Sequence, residues 1–194
     1  IAALNNFPGT NRRFEKITNN VYSDYGHHPK EIQSTLQMAK EIAEKQGFSG
    51  VSLIYQPHQN VRQVEVQDEY TPEIFKYADE IIWLPTYLSR ENPDFEILSP
   101  EFLSRKISEK TTILDFSDNP KELLEKILSL KAKNRLILAM SAGSLDGWIR
   151  KNIKWFNKIA PKIWCNFYKI KSGKKPLKYQ TDAKNLDFLN NLNF

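Results

Sequence analysis

Short apolar runs alternate with helix-start signals along most of this chain, and few folds accommodate that order. Val51-Ser52-Leu53-Ile54-Tyr55, Glu80-Ile81-Ile82-Trp83-Leu84, Thr111–Leu114 and Arg135-Leu136-Ile137-Leu138-Ala139-Met140 read as strands. The first of these is apolar enough to be covered on both faces. The clearest helix opens at Pro29 and runs to about Gln46, with Ile32, Leu36, Ala39, Ile42 and Ala43 on one face and Gly47 as its stop. Further helices are expected over Thr71–Ala78, from Ser99-Pro100 to about Ile107, from Asn119-Pro120-Lys121-Glu122 to about Leu130, and near Asp146–Phe156. Arg12–Ile17 and Asn20–Asp24 read as two strands joined at Thr18-Asn19-Asn20, a hairpin. Before them, Pro8-Gly9-Thr10-Asn11 reads as a turn and Ile1–Leu4 as the end of a preceding helix. Strands alternating with helices predict an α/β domain: a mostly parallel sheet, helices on both faces, and an antiparallel edge from the hairpin.

In such a sheet the carboxyl ends of the strands and the amino ends of the helices face one crevice, where ligands bind. Each strand here ends in polar residues: Asp24 with His27 and His28, His58 with Arg62, Thr86 and Tyr87 with Arg90 and Glu91, Asp115 with Asp118, and Ser141 with Gly143 and Ser144. Strand-to-helix loops are polar in any case because they meet water. The histidines set two of these loops apart, since all three in the chain fall at two of the junctions. The segments Ser23–Ile32 and Tyr55–Arg62 are therefore the expected centre of function.

Other classes are set aside on chemistry. His27 and His28 are adjacent and point apart from an extended backbone, so no metal site is expected. There is no G-x-S-x-G elbow for a serine hydrolase. The seven glycines form neither G-x-x-x-x-G-K-[ST] nor G-x-G-x-x-G, so any nucleotide phosphates have their main cradle elsewhere. One cysteine, Cys165, excludes an internal disulfide framework. No apolar run reaches the roughly 20 residues that cross a bilayer, and no signal peptide is visible, so a reduced cytoplasmic protein without a membrane partner is expected. The chain starts at Ile1 without a Met, as an excised piece of something longer would.

The net charge of +5 is unevenly spread. Residues 151–194 hold ten Lys and no Arg against Asp182 and Asp187, a net +8, which leaves −3 for residues 1–150. The basic stretch is interleaved with Trp164, Phe167, Tyr168 and Tyr179, a composition that could bind nucleic acid. The expected reading is instead a solvated or loosely packed extension, with nucleic acid not among the partners.

Three segments in order resemble a known family: Gly9-x-x-Arg12-Arg13-Phe14-Glu15, Asp24-Tyr25-Gly26-His27-His28-Pro29-x-Glu31-Ile32, and Gln56-Pro57-His58. Together they resemble the C-terminal domain of the Mur ligases, in particular the branch that joins L-alanine to UDP-N-acetylmuramate. The resemblance covers roughly residues 1–150. It implies a Rossmann-like three-layer domain with a six-stranded sheet over residues 1–156, followed by a basic aromatic extension, 157–194, of unknown role. In this family an N-terminal domain holds the UDP-sugar, and a central domain holds the ATP phosphates and Mg2+. The C-terminal domain closes over both and brings in the amino acid, which attacks an acyl phosphate to give an amide. A fragment of this kind is expected to be inactive alone. By position, Arg13 matches the arginine that reaches the nucleotide phosphates and Asp24 the carboxylate at the ribose, with Tyr25 beside it. His27 and His28 line the cleft as catalytic candidates. His58, Gln59 and Arg62 match the segment that binds L-alanine, where a guanidinium can grip a carboxylate and a neutral imidazole can take a proton. The pattern also departs from the family: Ser23 stands for an Asp, Gln59-Asn60-Val61 for Arg-Tyr-Thr, Thr86-Tyr87-Leu88-Ser89-Arg90-Glu91 for Tyr-Pro-Ala-Gly-Glu, and Ser141-Ala142-Gly143-Ser144 for Gly-Ala-Gly-Asp. A different expectation is a non-catalytic module of the same fold that binds nucleic acid or protein through its basic tail.

Overall fold

The computed structural model describes residues 10–152. Residues Ile1–Arg150 form one compact unit and Lys151–Phe194 a second; of the latter, only residues 151 and 152 are described. The reading of Ile1–Leu4 and that of the basic extension lie outside the described residues.

The first unit is a six-stranded sheet in the order β1-β2-β6-β3-β4-β5, built from β1 (Glu15–Thr18), β2 (Val21–Asp24), β3 (Val51–Gln56), β4 (Glu80–Trp83), β5 (Thr111–Ile113) and β6 (Leu136–Ser141). All neighbours pair in parallel except β1, which joins β2 as the antiparallel edge hairpin. The expected α/β architecture is therefore the observed one. The hairpin is shorter than expected: Arg12–Phe14 form a turn, with Arg12 (φ 58°) and Phe14 (φ 44°) in the left-handed region. The buried carboxylate of Asp24 accepts the Phe14 N–H at 2.8 Å and holds that turn.

Helix α1 (Pro29–Gln46) has the expected bounds, and its ends show why. Pro29 occupies the first turn, and Glu31 three residues past His28 accepts the backbone N–H of both His27 (3.1 Å) and His28 (3.2 Å). Gly47 closes the helix at φ 72°, a conformation that costs a residue with a Cβ. Ile32, Leu36, Ala39 and Ala43 pack on Tyr22, Leu53, Tyr55, Leu138 and Met140 of the sheet. Burying each large aliphatic contributes about 1.5–3 kcal/mol. The intervening strand residues Ile54, Ile82, Ile137 and Ala139 are equally buried and point to the other face. There α4 (Pro120–Ala132) supplies Leu123, Leu124, Ile127 and Leu130.

The helix expected over Thr71–Ala78 does not form. Those residues make consecutive turns with i→i−3 bonds, Ile74 N–H to Thr71 O and Ala78 N–H to Phe75 O. The Lys110 ammonium, from the far end of the next segment, takes the Phe75 and Ala78 carbonyls at 2.7 and 2.9 Å. The helix in this crossover lies earlier instead, as α2 (Asn60–Val66), followed by a 3-10 turn at Gln67–Glu69. Ser99 caps α3 (Pro100–Ser104) as expected, its hydroxyl accepting the Phe102 N–H, but the helix tightens to 3-10 from Arg105 to Lys110. Residues 145–152 are helical and are called α5. No helix among the described residues is long and apolar enough to cross a membrane.

Strand β6 lies between β2 and β3 although it is made last, so the chain crosses from β2 to β3 over α1 and returns between them after α4. This is the topological switch point at which open α/β sheets leave a crevice.

Candidate functional site

Parallel pairing aligns the strand ends at that crevice: Asp24 and Tyr55 both register with Met140, and Gln56 with Ser141. Four loops consequently start side by side, at Tyr25, Pro57, Leu84 and Ala142.

The first two loops meet through their rings. Tyr25 and His27 lie edge to face at 5.7 Å, His27 and His58 tilt together at 5.7 Å, and His58 stacks on Tyr87 at 5.7 Å with the planes 8° apart. The result is one continuous row, Tyr25–His27–His58–Tyr87, across the tops of β2, β3 and β4. At its near end the guanidinium groups of Arg12 and Arg13 stand 4.8 and 5.6 Å from the Tyr25 ring centre, within cation–π range.

The two arginines have different occupations. Arg12 donates to Ser141 O at 2.8 Å and approaches Asp146 at 3.5 Å, and so ties the hairpin to β6 and α5. Arg13 is 54% exposed and has only a loose partner, Glu31 at 4.0 Å. With Phe14, Asp24, Lys30, Glu31 and Thr35 it lines an open groove on the hairpin side of α1. Asp24 edges that groove but is buried, and its second oxygen accepts the Gly26 N–H at 2.7 Å.

The far end is built from Gln56, Gln59, Tyr87 and Gly143. Tyr87 N–H donates to Pro57 O and Gln59 N–H to Tyr87 O, at 2.8 and 2.9 Å, a parallel bridge that extends the sheet one step past β4. Gln59 sits at φ 60°, ψ 119°, a strained backbone for a residue with a Cβ, and its side chain donates to Ser89 O at 3.1 Å. Below it, the buried Gln56 carbonyl accepts the Ser141 hydroxyl at 2.8 Å and the Leu145 N–H at 3.1 Å. Gly143 passes under Tyr87 so closely that a Cβ there would lie 2.5 Å from the Tyr87 ring.

Of the expected site residues, Arg13, Tyr25, His27 and His58 are thus brought together, and Gln59 borders them. His28 begins α1 beside His27. Arg62 stands one turn along α2, 48% exposed and paired with Glu65 at 2.5 Å. Tyr87 and Gly143 are site residues that the sequence reading did not single out for binding. Their contacts with His58 and with each other join separate strand tops, so no local pattern carries them. Among the described residues no group of three His, Cys, Asp or Glu could hold a metal ion.

The electrostatics favour a neutral His58 ring and an ionised Glu31 carboxylate. Burial, reinforced by the charge of His27, holds the His58 imidazole below its ordinary pKa of 6.5, with Glu91 partly opposing. Glu31 is pushed up by burial, but the N–H bonds from His27 and His28 and the charges of His27 and Arg13 outweigh that and leave it lowered. A neutral imidazole held beside a second one can accept or relay a proton from a bound amine.

No protein-family model matches the chain. Among curated proteins, UDP-N-acetylmuramate–L-alanine ligase from Hydrogenobaculum sp. (strain Y04AAS1) is 31% identical over 156 residues, 78% of this chain and 33% of the relative. Over three quarters of its length the chain is thus similar to a Mur ligase. A ligase of the same name from Brucella ovis is 29% identical over 149 residues, 75% of this chain and 31% of its own length. The chain therefore spans about a third of the length of these relatives. Among solved structures, a murein peptide ligase from Psychrobacter arcticus 273-4 shares the fold, with a TM-score of 0.52 and 21% identity over 79% of this chain and 31% of that one.

Proposed function

We propose that residues 10–152 are the amino-acid-receiving part of an ATP-dependent ligase that joins L-alanine to UDP-N-acetylmuramate in peptidoglycan precursor synthesis. The row Tyr25–His27–His58–Tyr87 at the switch point carries this reading, because it sets two imidazoles in line with a ring that two arginines approach, at the place where such sheets bind ligands. The incoming amino acid is a zwitterion. Its carboxylate suits a guanidinium fork, the role assigned to Arg62, and Gln59 borders the same loop. Its ammonium must lose a proton before the nitrogen can attack an activated carboxyl group, and His58 with His27 can take that proton. His28, at the start of α1, completes the histidine-lined side.

Arg13 and Lys30 in the open groove supply the positive charge that nucleotide phosphates need, Asp24 borders the same groove, and the Tyr25 ring lies within cation–π reach of Arg13. The described residues fit part of an ATP site in this way. They do not fit Mg2+, for which no cluster of ligands exists among them. The metal, the phosphate cradle and the sugar nucleotide are assigned to the N-terminal and central domains of a longer enzyme, working in the cytoplasm where nucleotide precursors are made.

The test is phosphate release by the full-length parent with UDP-N-acetylmuramate and ATP across a panel of amino acids. Release that requires L-alanine, glycine or L-serine is the expected result. Absence of release with every amino acid would overturn the reading in favour of a non-catalytic binding module.

A further inference from the structure

Beneath the ring row runs a buried chain of side-chain hydrogen bonds that connects its two histidine loops. The Tyr55 hydroxyl lies 3.1 Å from the His27 carbonyl and 3.0 Å from the Tyr70 hydroxyl. Tyr70 in turn donates to Gln63 Oε1 at 2.6 Å, and Gln63 Nε2 donates to the His58 carbonyl at 3.0 Å. Every side chain in the chain is buried, and Trp83 packs edge-on against both tyrosines at 4.9 and 5.1 Å. A polar group placed there without a partner is costly, which argues for a definite role.

We infer that Tyr55 and Tyr70 are positioning residues that hold the His27 loop and the His58 loop in register through this one buried chain. The geometry requires that the two ends be linked. Three contacts involve the two hydroxyls, but only two protons are available, because Gln63 turns its carbonyl oxygen to Tyr70 and its amide to His58. When Tyr55 donates to His27, the Tyr55–Tyr70 contact needs the proton of Tyr70, and Gln63 Oε1 goes without. When Tyr70 donates to Gln63, Tyr55 either bridges to Tyr70 and leaves His27 without its proton, or donates to His27 and leaves the contact between the two phenol oxygens without one. One of the three contacts therefore always lacks a proton, and which one it is decides how firmly each loop is held. Burial, with the neighbouring phenol, keeps Tyr55 far above its ordinary pKa, and burial does the same for Tyr70, so neither proton is lost to ionisation. The titratable groups facing the two histidines are each other, Tyr25 against His27 and Tyr87 against His58, Glu31 at the His27 N–H, the arginines over Tyr25, and Glu91 near His58.

The consequence for catalysis rests on the ligase reading, but the positioning itself can be tested without it. The 194-residue chain has three histidines, of which His27 and His58 report on the two loops. Imidazole titrations by NMR are to be compared for the wild-type chain, Tyr55→Phe and Tyr70→Phe. Loosening either loop weakens the His27–His58 contact, so the pKa of His58 is expected to rise by about half a unit, roughly a threefold change in proton affinity. Should Tyr55→Phe fail to fold, Tyr70→Phe decides alone, since it leaves Tyr55 free to hold His27. A folded Tyr70→Phe chain whose His27 and His58 titrate as in wild type would overturn the inference. No substrate is involved, so a failed ligase assay leaves this result standing, and unmoved histidines leave the ligase reading standing.

Discussion

Two polar regions flank β6, and they use the same residue types to opposite ends. On the hairpin side, Arg150 donates to Glu15 at 2.7 and 2.8 Å and to Asp146 at 3.0 Å, while the Ser23 hydroxyl donates to Asp146 at 2.5 Å. Burial pushes Asp146 up, but the Arg150 and Ser23 bonds prevail and lower it. Every charge there faces another charge of the chain. On the crevice side, the row from Tyr25 to Tyr87 consists of rings whose partners are mostly other rings, Arg13 has a distant carboxylate and the Tyr25 ring, and Tyr87 is 38% exposed. Saturated polarity builds the scaffold and unsaturated polarity marks the site. Arg12 and Arg13, adjacent in sequence, fall one on each side of that division.

The contrast can be broken from either side. The largest effect is expected for Arg150→Met, which removes the guanidinium that Glu15 and Asp146 share. Unfolding free energy should fall by about 2–3 kcal/mol in urea titrations, near the lower end for a broken buried pair because the groups keep some solvent. The amino-acid KM of the full-length enzyme should not move. Gly143→Ala should cost about 1–3 kcal/mol, since the added methyl must displace the Tyr87 ring. Loss of the Tyr87 ring-current shift on His58 is the measurement that checks it. Arg62→Ala reverses the pattern. Stability should change by no more than about 0.5 kcal/mol, as for any exposed pair, while the amino-acid KM should rise about tenfold, near 1.4 kcal/mol of binding. An unchanged KM would remove Arg62 from the substrate site. The smallest effect is a change in slope. The folded pKa of His58 lies below 6.5, so the unfolded chain binds the proton more readily. Stability is fully present above 6.5 and is lost as pH falls through that value toward the folded one. Tm measured against pH should be flatter in that window for His58→Gln.

Much of this was legible in the sequence because it depends on local chemistry. Pro29, Glu31 and Gly47 bound α1 through contacts within a few residues, and the apolar runs place the parallel strands. The histidine junctions meet at one crevice because strand tops of a parallel sheet must converge. The errors share one cause, which is distance along the chain. Thr71–Ala78 has helical spacing, yet Lys110 takes its carbonyls from more than thirty residues away. Helix α2 begins at Gln59, which carries no capping signal and depends on the bond to Tyr87 O for its strained backbone. Tyr87 lies beside His58 only once β3 and β4 have paired, and Gly143 beneath it only once β6 has entered.

The late entry of β6 also dictates when the crevice can exist. During synthesis, β2 and β3 emerge early but do not touch; each waits for a partner made more than eighty residues after β3 begins. Until Leu136–Ser141 leaves the ribosome, the hairpin with β2 and the β3–β4–β5 group are separate half-sheets with open edges. Such long-range closure is slow and exposes apolar strands meanwhile. A nascent chain stopped before residue 136 would hold all three histidines and still have no strand between β2 and β3 to bring them together.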